Sequence, residues 1–443
     1  MNATLPRNRT TITAPSGGGR LGWLIPGLAA VARHRGVLVS YLQVLSGSVG
    51  RLGLQIAYFF VLANTLSLHE MGIFASVSAT GMLLSCFAGC GFQSFVFRAA
   101  ASRRSSLGTH LGSFYACLAA AIPLCLMASL PLYFTLFADA IPVSGYLAII
   151  LVEVAFLRVT ELLTQVNNGL GRFGASSAVL AISAGIRTLT ALAFAFTGGG
   201  EAEIWSAYYF CGNAVAVAGM VALFHPRDRL RLRPRLLLGR LRDAFLFACS
   251  YFAYCAQSEV DKVIVLWLAG DRMAGIYAIA MRIVDMTAMP LRPMFLLYVR
   301  TLIRKAKTGL PLRDTLRIEA AVGIVSTGGL VAVIVPLNLW PGLLGTNITT
   351  ATAFLSVLIV LPAAKNLCEF HSELFFAYDR LGVRVVTAIG LIILKAAALT
   401  WLLVVTGDGD DWAVWLNAIY AAIYVLSFVA AYGVLTPKSV PSS

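Results

Sequence analysis

The chain has 443 residues, of which 59% are hydrophobic and only 12% charged, with a formal net charge of +14. A soluble fold of this length cannot hide that much apolar surface, so the composition excludes an ordinary soluble class and makes lipid the solvent. The basic excess would suit nucleic acid in a soluble chain, but its distribution here excludes that partner as well.

Apolar stretches recur at 36–64, 72–98, 109–137, 141–168, 175–197, 204–224, 241–268, 272–300, 316–338, 349–378, 381–405 and 412–434. About 20 helical residues cross a hydrocarbon core about 30 Å thick, so each stretch predicts one transmembrane helix. Ahead of them, residues 1–20 are rich in Ser, Thr, Gly and Arg and predict a disordered tail. Residues 21–32 are apolar but too short to cross, and Pro26 interrupts them, which predicts an interfacial segment.

The loop charges alternate in sign. Arg103 and Arg104, then Arg227, Arg229, Arg231, Arg233, Arg235 and Arg240, then Arg304, Lys305, Lys307 and Arg313 fall at the same end as the basic N-terminal tail. Loops at the other end carry Glu70, Asp139, Glu201, Glu203, Asp271, Asp408, Asp410 and Asp411 against a lone Arg272. The positive-inside rule then places both termini in the cytoplasm. No outer loop holds a cysteine for an oxidising compartment to pair. Cys86 and Cys90 share a helix face without further ligands, so they read as packing and no metal is expected.

The Arg-rich stretch 225–242 divides the helices six and six, and the halves echo each other. Met71-Gly72-Ile73-Phe74-Ala75 opens the second helix of the first half, and Ala274-Gly275-Ile276-Tyr277-Ala278 opens the second helix of the other, 203 residues later. An even number of crossings per half makes this a parallel repeat about an axis along the membrane normal. The expected organisation is a tail at 1–35, a six-helix lobe at 36–224, a basic linker at 225–240, a second lobe at 241–434 and a tail at 435–443. The loops are too short for a soluble catalytic domain, so no enzyme is expected. The phosphate-binding signature Gly-x4-Gly-Lys-[Ser/Thr] is absent. No cofactor is expected, and a proton or sodium gradient is the expected energy source.

Charges inside the helices fall in stripes. Arg282, Asp285, Met289 and Arg292 occupy one sector of the eighth helix, and Arg158, Glu161, Gln165 and Asn168 one sector of the fourth. Ser48, Arg51, Gln55 and Tyr58 share a face of the first helix, while Lys365, Glu369 and Glu373 follow at i,i+4 steps on the tenth. A charge facing lipid at mid-bilayer costs about 3 kcal/mol on insertion scales, so these stripes line a wet interior or face one another. Read functionally, they make a cationic cavity for a phosphate-bearing headgroup, because guanidinium binds phosphate bidentately. Arg51 and Arg282, one from each half, lead that set, with Gln55, Arg158 and Arg292 beside them. The plainer alternative is ion pairing within a helix, Arg282 with Asp285 and Arg158 with Glu161. Asp285, Lys365, Glu369 and Glu373 are the ion-coupling candidates, against a static Lys–Glu bridge. His371 points away from the glutamates and reads as a packed, hydrogen-bonded histidine.

Two stretches resemble a known family. Residues 52–97 begin after Arg51 and carry Leu68-His69-Glu70-Met71-Gly72-Ile73-Phe74, then Gly91 and Arg98; the second stretch carries Asp261-Lys262-Val263-Ile264-Val265, Ala269-Gly270, Gly275-Ile276-Tyr277-Ala278 and Arg282-Ile283. Both are similar to Wzx-type polysaccharide flippases of the multidrug/oligosaccharidyl-lipid/polysaccharide exporter superfamily, although 67–70 departs from the usual Gly-Pro-Glu. The resemblance implies two six-helix lobes in a V, moving a polyprenyl-diphosphate-linked oligosaccharide across the bacterial inner membrane by alternating access, for exopolysaccharide, capsule or O-antigen assembly. It implies a monomer embedded in membrane lipids and working beside a polysaccharide polymerase and glycosyltransferases. A multidrug or cation antiporter of the same superfamily is the rival, favouring an acidic cavity. A membrane-embedded polymerase or ligase is more distant, because the large outer loop for such chemistry is missing.

Overall fold

The computed structural model describes residues 35–435 apart from 103, 198, 293, 296–297, 299–301, 303–311, 343, 379 and 407–411. The expected tails at 1–35 and 435–443 lie outside the described residues except for Arg35 and Leu435, which are helical, and so do Arg103, Arg304, Lys305, Lys307, Asp408, Asp410 and Asp411. All regular structure among the described residues is helical.

The crossings are α1 (Arg35–Thr65), α2 (Leu68–Ser85, resuming as Phe92–Ser102), α3 (Leu107–Phe137), α4 (Val143–Leu151 and Leu157–Gly169, joined by a π-turn), α5 (Phe173–Thr197) and α6 (Ala202–Phe224). The second set is α7 and α8 within Pro234–Thr287, α9 (Leu312–Leu339), α10 (Thr346–Val357 and Leu361–Ala377), α11 (Leu381–Thr406) and α12 (Trp412–Leu435).

Pro234–Thr287, 54 residues long, holds two helices that meet at Gly270 and make two crossings. Gly270 sits at φ 78°, ψ 172°, a conformation closed to residues with a side chain. Tyr277 Oη donates to Asp261 Oδ2 at 2.8 Å, 16 residues back. Along a straight helix those residues would stand about 24 Å apart, so the chain doubles back at the glycine. By length and composition, seven helices among the described residues can cross a bilayer, or nine if each bent pair is one span. The hairpin at Gly270 supplies one more crossing. With α1 and the charged α4 the crossings reach the expected twelve.

The outer surface is apolar. Phe134, Phe196, Leu223, Ile324 and Val386 are each at least 70% exposed, an arrangement that only lipid makes tolerable.

Two equivalent packings show how the repeat builds the lobes. Phe74 lies edge-on to Trp205 at 5.8 Å in the first lobe, and Tyr277 packs on Trp412 at 6.0 Å in the second. In each case the fourth residue of the repeated pentapeptide meets the tryptophan near the start of the lobe's last helix. All four side chains are buried.

Two helices expected to be continuous are broken. α2 bends by 50° where Gly89, Cys90 and Gly91 take positive φ. A Cβ on Gly91 would strike the Ala244 carbonyl, so close approach to α7 demands the glycine. α10 bends by 74° between Val357 and Leu361. The groups freed there would be stranded in hydrocarbon without a partner. Asn417 of α12 supplies one: its Oδ1 accepts from the Val360 and Leu361 amides at 3.1 and 3.3 Å, and its Nδ2 donates to the Val357 carbonyl at 2.7 Å. Each buried group left unsatisfied costs about 1–3 kcal/mol. Asn417→Ala is therefore expected to lower the thermal unfolding midpoint of the purified protein by several degrees. An unchanged midpoint would show that the break needs no such bracket.

The linker is also shorter than expected at 225–240. Only 226–233 is extended, because Pro234, with its φ already helical and no amide to satisfy, starts α7 there.

The lobes join at the acidic-loop end. Asn64 Nδ2 donates to the Leu344 carbonyl at 2.7 Å, and Asn347 Nδ2 to the carbonyls of Ala63 and Leu66 at 2.9 and 2.7 Å. His69 Nδ1 lies 2.7 Å from Asp271 Oδ2. Between these ties α2 crosses α8 at the two repeat glycines. A Cβ on Gly72 would run into the Asp271 carbonyl, and one on Gly275 into the Leu68 carbonyl.

Candidate substrate cavity

Between the lobes lies a chamber of three adjoining compartments that share lining residues. The first, about 330 Å³, is lined mainly by the second lobe: Tyr254, Glu259, Arg282, Asp285, Met289, Arg292, Lys365, Glu369, Glu373 and Lys395, with Gln55 from α1. The second, about 220 Å³, is lined by Arg51, Gln55, Tyr58, Glu161, Arg187 and Arg282. The third, about 300 Å³, lies among Tyr58, Ser78, Glu153, Arg187, Tyr209, Glu259, Lys262, Arg282 and Asp285. Arg282 borders all three. The inter-lobe ties lie toward the acidic end, and at the other end the lining reaches Arg292, whose side chain is 56% exposed.

The helical stripes explain this lining. Arg282, Asp285, Met289 and Arg292 share one wall because they share one sector of α8 and its continuation. Arg51, Gln55 and Tyr58 form the facing wall from α1, and Lys365, Glu369 and Glu373 stand on the second half of α10.

The expected pairings within single helices hold in one case and fail in another. Arg158 Nη1 does bond Glu161 at 2.6 Å, but its Nη2 also donates to Ser85 Oγ at 2.7 Å and its guanidinium lies 4.8 Å over the Tyr251 ring. Only 3% exposed, Arg158 lines none of the three compartments. The structure thus places this substrate-binding candidate in a brace between α2, α4 and α7. Asp285 turns from Arg282 and bonds Lys365 of α10 instead. Lys365 is accordingly not the partner of Glu369, which faces Arg292 at 3.5 Å, while Glu373 meets Arg384 at 3.2 Å.

The remaining carboxylates are equally well partnered. Glu259 holds Lys262 at 2.6 Å, and Asp261 holds Lys395 at 3.0 Å. Asp261 also accepts from Tyr277 Oη, so the two halves of one sequence motif meet in a hydrogen bond across the α7–α8 hairpin. Glu153, buried on α4, accepts from Ser78 Oγ at 2.7 Å and Tyr209 Oη at 2.9 Å. His371 is fully buried outside the chamber; its ring nitrogens lie 2.9 Å from Ser427 Oγ and from Glu319 Oε1.

The arginines differ. Among the described residues no ion pair involves Arg51, Arg187 or Arg282. Arg187 Nε donates to the neutral Asn213 Oδ1 at 3.0 Å. The second compartment therefore gathers three guanidinium groups with donors to spare, while Glu161 on its wall is already committed to Arg158. Sequence reasoning passed over Arg187, and over Glu153 beside it. The repeat held a signal: Arg187 on the fifth helix of its lobe stands near Tyr209 of the sixth, as Lys395 stands near Tyr420 in the other lobe.

A family model described as polysaccharide biosynthesis protein matches residues 39–298, more than half of the chain. The chain belongs to that family. The match spans the first lobe, the linker and the α7–α8 hairpin that carries Arg282. None of the curated proteins matches the sequence. Among solved structures, the MATE multidrug transporter DinF-BH is similar at TM-score 0.62 and 13% identity, over 88% of this chain and 95% of that one. An outward-facing MATE family transporter of the MOP superfamily follows at TM-score 0.59 and 14% identity, over 89% and 94%. A MOP superfamily transporter from Pyrococcus furiosus, described as having a binding pocket of reverse polarity, gives TM-score 0.50 and 14% identity over 89% and 93%. This member of the polysaccharide biosynthesis family thus has the MOP-superfamily fold, as its motifs led one to expect.

Proposed function

We propose that the protein flips a polyprenyl-diphosphate-linked oligosaccharide across the bacterial inner membrane, for assembly of a surface polysaccharide. The observation that carries this reading is the trio Arg51, Arg187 and Arg282, which form no ion pair among the described residues, in a chamber whose other charges are mostly neutralised within the protein. A lipid-linked diphosphate brings the oxygens that planar guanidinium groups bind in pairs, and its glycan needs the polar space beside them. An organic cation would meet the wrong sign. Membership of the polysaccharide family supports the same substrate class.

In this reading the basic loops face the cytoplasm, the substrate enters the chamber from that side, and the lobes rock about the glycine crossing. Asp285, Lys365, Glu369 and Glu373 are the groups proposed to couple the cycle to a proton or sodium gradient. Their ion pairs can be broken and remade by a small cation.

The test is a strain lacking the gene. Its extracted lipids should accumulate the polyprenyl-diphosphate oligosaccharide in the cytoplasmic leaflet while surface polymer disappears, and the wild-type chain should reverse both. A normal lipid pool with normal polymer overturns the proposal.

A further inference from the structure

Among the described residues 226–233 is the longest run without helix, with extended backbone at His225 before it and Arg233 at its end, and it is not loose. Arg231 N donates to the Gly108 carbonyl at 3.0 Å, in the first turn of α3. A Cβ on Gly108 would collide with the Arg229 carbonyl and one on Gly112 with the Arg231 carbonyl, so the i,i+4 glycine pair makes a bed for this backbone. His225 packs on Tyr115 of the same helix at 5.8 Å between ring centroids. The strap therefore has a fixed course across the basic end of α3 before Pro234 starts α7.

Its sequence alternates, and an extended chain sends alternate side chains to opposite sides. Arg227, Arg229, Arg231 and Arg233 alternate along it on one side, all exposed, and Arg235 follows, also exposed, in the first turn of α7. Leu230 and Leu232 take the other, and they are 53% and 56% exposed. Two further arginines stand at this end. Arg98 lies 5.8 Å over Phe247 and Arg240 lies 5.1 Å over Phe95. Against them the neighbouring described acids are Asp228 and Asp243.

We infer that this strap binds the headgroups of acidic phospholipids in the leaflet at the basic end. The charge is complementary, and the leucines decide between anionic partners. A nucleic acid or an acidic soluble protein would leave them in water, whereas a bilayer interface accepts both faces of the ribbon at once. The strap alone joins the lobes in sequence, so a headgroup clamped there pins the first lobe while α7 moves. The inference does not rest on the flippase reading.

The experiment uses the purified full-length protein in phosphatidylcholine vesicles free of glycolipid, with a trace of spin-labelled phosphatidylglycerol or spin-labelled phosphatidylcholine. Preference is read from the motionally restricted fraction of each label. The wild type should favour phosphatidylglycerol, and the variant R227Q/R229Q/R231Q/R233Q should lose about threefold or more of that preference. The corresponding lysine variant should keep most of it. Raising salt to about 1 M should abolish the wild-type preference, an arm that needs no variant to fold. Equal restriction of both labels by the wild type overturns the inference. So does a glutamine variant with undiminished preference, or tight binding of heparin or RNA that the same substitutions remove while lipid preference stays.

Discussion

Arg282→Ala is expected to abolish transport while leaving the amount of folded protein near normal. The residue borders all three compartments, its side chain is exposed to the chamber, and no carboxylate neutralises it among the described residues. Removing one partner of a desolvated charged contact costs about 2–5 kcal/mol, which at 1.4 kcal/mol per decade is roughly a 30- to 4,000-fold loss of affinity. Lysine should restore only part, since a point charge cannot make the paired bonds of a guanidinium. Arg51→Ala and Arg187→Ala should each weaken transport less, and combining either with Arg282→Ala should fall short of additive because the three converge on one compartment. Arg158→Ala is the contrast. Its partners are Glu161, Ser85 and Tyr251, so it should lower the yield and thermal stability of the protein more than transport per folded molecule. The readout is the leaflet distribution of the lipid-linked oligosaccharide, normalised to folded protein. Wild-type flipping by Arg282→Ala would remove the cationic-cavity mechanism.

Gly72→Val and Gly275→Val are expected to trap the carrier with its acidic end open. The α2–α8 crossing brings backbone against backbone, and neither carbonyl in the way can swing aside like a flexible side chain. Overpacking of this kind costs about 1–3 kcal/mol, enough to shift a two-state equilibrium by about fivefold to 150-fold. The cost falls on the sealed state alone, since the crossing parts when the acidic end opens. With Gln55→Cys in a chain otherwise stripped of cysteines, a membrane-impermeant thiol reagent added at the acidic-loop side should label the valine variants and spare the glycine parent. Alanine at either site should give an intermediate rate. Full transport by both valine variants would show that the lobes do not pivot there.

Much of this architecture is written locally in the chain. Hydropathy marks the crossings because each must be apolar over its own length, and the pentapeptides at 71–75 and 274–278 mark the repeat because both glycines must lie bare at one crossing. The helix breaks are less legible. Gly89 and Gly91 announce the bend in α2, but the bend in α10 depends on Asn417, 57 residues beyond Val360. In the cavity, periodicity brought Arg51, Gln55, Arg282, Arg292, Lys365, Glu369 and Glu373 to the same space. It could not separate a lining arginine from a bracing one, since Arg158 sits on as regular a stripe as Arg282. Nor could it pair charges across the bundle. Asp285 has Arg282 three residues away and chooses Lys365, 80 residues along the chain.

The three arginines that form no ion pair among the described residues also give the chamber an electrical character. Set against Glu153 alone, they leave a surplus of about two positive charges in the chamber, and each charge carried across the membrane field is worth about 2.3 kcal/mol per 100 mV. The diphosphate of the proposed substrate would cancel that surplus. Voltage therefore acts on the vacant chamber far more than on the loaded one. With the basic loops on the negative side, as proposed, the field draws the vacant chamber back toward the leaflet where the next lipid-linked diphosphate waits.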